Sequence, residues 1–155
     1  MTAPTFSDLS EAERQWIAAQ LEGARQFVAA VSPSDASGPM TLEVLDRAWA
    51  AWLGREAGDQ AEVNAIINFV GVQWGQFLVD RLGFAWTIAS DRQGTDLAVR
   101  ALPGQGDVLL YPANFVAKRW EKREANFLAG SFDSVRQQVE AVAAGRPLKP
   151  WWRFW

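Results

Sequence analysis

Between Asp59 and Ala101 the hydrophobic period of the chain changes once, from helical to alternating, and that change dictates the class of fold. Asp59 and Glu62 make a D-x-x-E helix start. At about 100° per residue, Val63, Ile66, Ile67, Val70, Trp74, Phe77 and Leu78 form one broad stripe. Asn64, Asn68, Gly71, Gly75, Val79 and Leu82 form a second face beside it, and Glu62, Gln73, Gln76 and Asp80 leave only a narrow polar strip. A helix apolar on two sides is sandwiched between layers. Gly71 and Gly75 each cost about 1 kcal/mol of helix propensity. That cost predicts a close backbone approach, assigned here to the first or second helix, with the aliphatic and aromatic stripe turned to a sheet. Gly83 stops the helix, and Phe84, Trp86 and Ile88 then alternate with Ala85, Thr87 and Ala89. DRQGT makes a turn with Gly94 at its positive-φ position. Leu97, Val99 and Ala101 alternate against Asp96, Ala98 and Arg100, PGQGD turns again, and VLLYP (108–112) is a third strand. Sequential strands with short turns form an antiparallel meander.

The flanks read as helix. Ser10 and Glu13 form a capping box for a first helix from near Glu11 to Val31, with Trp16, Ile17, Leu21, Ala24, Val28 and Val31 on its inner face. Thr41 caps a second helix through Leu53, stopped by Gly54. After the strands, helices are expected over about 113–124 and from Ser131 or Asp133 to Ala144. The expected class is α+β: three N-terminal helices, a three-stranded antiparallel meander, then two C-terminal helices, packed largely on one sheet face. Residues 1–145 read as a single domain and 146–155 as an aromatic tail.

The 155 residues contain no cysteine and no histidine, which removes disulfides, thiolate nucleophiles, the Ser-His-Asp triad and the common zinc sites. Acid–base chemistry would fall to Asp, Glu, Lys or Tyr, and a metal would need oxygen ligands alone; neither a cofactor nor a metal is expected. A net charge of −3 gives no footprint for nucleic acid and argues against an anionic membrane surface. No apolar run approaches spanning length, and MTAPTFSDLSEAERQ lacks the basic and apolar regions of a signal peptide, so a cytoplasmic protein is expected.

The GVQWG helix segment (71–75), the LGFAW junction (82–86), the DRQGTDLA hairpin (91–98), and Tyr111-Pro112 followed by AKR (117–119) together resemble a bacterial domain family of unknown function, number thirty-eight hundred and six in that series. The resemblance runs from about Ile67 to Glu140. It rests on glycine, tryptophan and turn positions, so it implies a fold and carries over no reaction, cofactor or catalytic residue.

Two surfaces stand out. On the sheet face away from the core helix, Thr87, Asp96, Arg100 and Tyr111 lie among alanines and can form a shallow recognition surface; a solvated face with an Asp96–Arg100 pair explains the same residues. The tail Trp151, Trp152, Arg153, Phe154 and Trp155 puts four aromatics in five residues, which suits a clasp on its own domain, a homodimer contact or a protein partner. Asp91, Asp96 and Asp107 lie at turns, where aspartate ordinarily bonds nearby backbone. Asn64 and Asn68 can hold a ligand or tie a loop to the helix, and KRWEKRE (118–124) reads as a solvated face with Trp120 inward. The expected function is a non-catalytic protein-interaction module, an adaptor or immunity-type binder. The alternative is a carboxylate-dependent hydrolase or small-ligand binder built on Asp91, Asp96, Arg100 and Tyr111.

Overall fold

The computed structural model describes residues 3–56 and 58–145. Its order is β1 (Thr5–Ser7), α1 (Glu11–Val31), a 3-10 turn (Pro33–Asp35), α2 (Leu42–Leu53), α3 (Gln60–Leu82), β2 (Ala85–Asp91), β3 (Gly94–Ala101), β4 (Val108–Leu110), α4 (Pro112–Glu121) and α5 (Leu128–Ala143). Among the described residues the architecture is α+β with five helices. The strands form one antiparallel sheet in the order β1-β2-β3-β4, one strand more than expected. The added strand, TFS, is too short to carry a periodic signal, and it pairs Phe6 with Ala89 on the free edge of β2.

Local chemistry sets most boundaries. Ser10 and Glu13 close the capping box on α1, Thr41 caps α2, and Asp59 caps α3 through the Glu62 amide. Gly83 ends α3 in the left-handed region at φ 74°, where a side chain would be strained. The last helix begins earlier than the sequence suggests, at Leu128, because its cap is remote. The Asp46 carboxylate on α2 accepts from the amides of Leu128 (2.8 Å) and Ala129 (3.0 Å). Two indoles pin the same segment: Trp49 donates to the Glu124 carbonyl at 2.7 Å and Trp74 to the Leu128 carbonyl at 3.1 Å.

The core is one cluster of aliphatic and aromatic side chains drawn from every helix and from β3 and β4. Trp74 packs on Phe115 with ring centroids 4.5 Å apart, and Phe115 and Trp49 both meet Phe127 edge-on. The α3 stripe therefore meets the C-terminal helices at Trp74, where the sheet was expected. At Gly71 and Gly75 the nearest neighbours belong to neither of the first two helices. A Cβ on Gly71 would lie 2.9 Å from the Ala113 Cα, and one on Gly75 2.6 Å from the Trp86 ring, so this face admits the start of α4 and a strand tryptophan. Gln73, assigned to the polar strip, is buried at 7% exposure. Arg119, assigned to a solvated face, is buried at 8%, with its guanidinium 5.1 Å from the Phe115 ring centroid. Among the described residues no helix is long and apolar enough to cross a membrane.

Candidate functional site

The β4 strand pairs only with residues 99–101 of β3, and β3 runs on to Gly94. Among the described residues, the stretch 94–98 is thus bonded on its β2 side and open on the other. Alternation of an antiparallel ladder turns the main-chain groups of every second residue there outward. Against this open edge lie the first half of α1, the middle of α3 and the start of α4. They enclose two adjoining cavities that share Trp16, Asp96 and Leu97.

The first cavity, about 170 Å³, is lined by Asn68 and Val72 of α3, by Trp86, and by the run Tyr111–Asn114. The second, about 280 Å³, lies between Glu13 and Trp16 of α1 and the strand residues Ile88, Thr95 and Leu97. Trp16 stands over both. It is 41% exposed, the one large hydrophobic side chain exposed among the described residues. The amphipathic pattern of α1 put it on the inner face; at this end of the helix that face opens on the groove.

Several hydrogen-bonding side chains around the groove make no hydrogen bond among the described residues: the Asn68 and Asn114 amides, the Tyr111 hydroxyl, the Asp96 carboxylate and the Trp16 indole. Tyr111 precedes α4 and gives it no side-chain cap. Burial first, then the charges of Asp91 and Asp96, push the Tyr111 hydroxyl above its ordinary pKa of 10.0. Among the described residues, no lysine or arginine lines either cavity. The result is an aromatic, acid-rimmed groove beside an open strand edge.

The four residues singled out on the sheet separate into two pairs. Asp96 and Tyr111 line the groove. Thr87 and Arg100 serve β1 and the β3–β4 turn: the Thr87 hydroxyl donates to the Ser7 carbonyl at 3.0 Å, and the Arg100 guanidinium lies 3.8 Å from the Phe6 ring centroid. Arg100 pairs with Asp107 at 2.7 Å, and the expected Asp96–Arg100 pair does not form. Asp107 reaches it because Leu102 and Asp107 both adopt left-handed backbone, closing the turn on the Leu102 carbonyl. Asp91 accepts from the Gln93 amide within its own turn. Of the set named in the hydrolase reading, Asp96 and Tyr111 stay together at the groove, Arg100 is held by Asp107, and Asp91 is bonded within its turn. No group of three or more potential metal-ligating side chains occurs among the described residues.

Asn64 is exposed and accepts from Gln60, so of the two asparagines only Asn68 lines the groove. The residues that sequence reasoning overlooked here are Trp16, Glu13 and Asn114. Nothing in their spacing links them, because the groove joins elements separated by about a hundred residues. The tail residues Trp151, Trp152, Arg153, Phe154 and Trp155 lie outside the described residues.

No curated protein matches the chain, and no solved structure matches it. One family model does, over residues 43–130, a span that includes Asn68, Trp86, Asp96, Tyr111 and Asn114 and leaves out Glu13 and Trp16. The chain belongs to the family described as Domain of unknown function (DUF3806).

Proposed function

We propose that this domain is a non-catalytic protein-interaction module whose binding surface is the groove around Trp16. The observation that carries this reading is the exposed Trp16 beside Asn68, Asn114, Tyr111 and Asp96, whose polar groups have no hydrogen-bond partner among the described residues. Hydrogen-bonding groups left open around an aromatic anchor are what a peptide partner satisfies, and tryptophan is among the residues enriched at binding hot spots. The free edge of β3 adds main-chain donors and acceptors suited to an extended segment. The acidic rim, and a lining without basic side chains among the described residues, favour a cationic partner over an anionic one.

Photo-cross-linking in a lysate of the source cell tests the proposal, with a light-activated phenylalanine analogue in place of Asn114. The expected result is an adduct with one defined protein, lost when Trp16→Ala is added. Turnover of an ester, phosphoester or glycoside panel that disappears in Asp96→Asn would overturn it and restore the hydrolase reading.

A further inference from the structure

The groove has a candidate occupant within the same chain. Helix α5 ends at Ala143, and Gly145 follows in the left-handed region. One turn earlier, Val142 lies directly against Gly106, in the turn that leads into β4. From Gly106 to Tyr111, on the groove wall, the chain advances five residues, about 17 Å in extended form. Residues 146–155 span up to about 33 Å when extended. That length is about twice the 17 Å step, so a tether rooted at Gly145 has the reach to bring the aromatic half of the segment to the groove.

Charge points the same way. Residues 146–155, RPLKPWWRFW, carry three basic side chains and no acidic one. Since the whole chain has 15 basic and 18 acidic residues, residues 1–145 have 12 against 18, a net charge of −6. Among the described residues the cavity linings supply Glu13 and Asp96 and no cation to oppose the segment. An arginine over an exposed tryptophan is a favourable pairing. A short tether also raises the local concentration to the millimolar range, so weak contacts suffice.

We propose that residues 146–155 dock in cis in the Trp16 groove, with Arg153 between the aromatic side chains and the acidic rim. This rests on the groove being a peptide-binding surface, and it makes the tail a tethered occupant that an outside partner must displace.

The absence of cysteine gives a clean test in the full chain. Thr95→Cys lies on the groove rim and is paired with Phe154→Cys. Ala29→Cys, exposed on α1 about 20 Å along the helix from Trp16, is paired with the same tail cysteine as control. On mild oxidation the 95–154 disulfide should form at least tenfold faster than the 29–154 disulfide. It should form within monomers, and it should slow severalfold when Trp16→Ala is added; far-ultraviolet dichroism checks that each variant is folded. Equal rates for the two pairs overturn the inference, and so does a product made only of covalent dimers, which would assign the groove to a second copy. Equal rates alongside a Trp16-dependent protein adduct from position 114 would overturn this inference alone. Equal rates with no adduct would remove the interaction reading as well.

Discussion

Tyr111 is the only tyrosine in the chain, so ultraviolet absorbance follows its ionisation without interference from another phenol. A raised pKa in the folded state means that the neutral hydroxyl is the form the fold favours. Its contribution to stability is complete below pH 10.0 and is lost as pH rises through the folded-state value. Asp91→Asn with Asp96→Asn should lower the titration midpoint part of the way, since burial is the larger cause and remains. An unchanged midpoint would place those carboxylates too far from the hydroxyl to matter. Asp35 behaves with the opposite sign. Hydrogen bonds from Arg47 and Ser32 hold its pKa down to about 2. The benefit is present above its ordinary value of 3.8 and is lost as pH falls from there toward 2. Denaturant midpoints measured between pH 5 and 2 should fall less steeply in Asp35→Asn than in the parent.

Elements with local punctuation were legible in the sequence. Ser10, Thr41, Asp59 and Gly83 each act on nearby residues of their own segment, and each helix end they govern lies where the motif places it. The start of α5 was not legible, because the carboxylate that caps it belongs to Asp46, eighty-odd residues earlier. Asp46→Ala leaves two amides without their charged acceptor and should cost about 2 kcal/mol, lowering Tm by about 6 °C. A calorimetric scan checks this; a shift below about 1 °C would mean that water replaces the cap. The two helical glycines were legible as sites of close approach, and what approaches them was not. Gly71→Ala should destabilise by about 1–3 kcal/mol despite its better helix propensity, since the atoms in its way are the Pro112 and Ala113 backbone. Urea titration measures the sign, and a stabilised Gly71→Ala would show that α4 can move aside.

For the molecule as a whole, the change of period after Gly83 gave the α+β class and the hairpin order correctly. The short β1 strand was illegible because three residues cannot show a period, and the groove was illegible because it is assembled from α1, α3, β3 and α4. Alternation grouped Asp96 and Tyr111 on the sheet face away from the core helix, whereas the groove they line is walled in part by Asn68 and Val72 of that helix. It could not show that β4 would stop at Leu110 and leave the edge of β3 open beside Trp16.

Whether this domain binds protein at the Trp16 groove is decided by the ratio of photo-adduct formed from position 114 to that formed from position 29 in the full chain. The expected result is a defined adduct from position 114, at least tenfold above position 29, that collapses in Trp16→Ala. Equal labelling from the two positions, or labelling indifferent to Trp16, would contradict it.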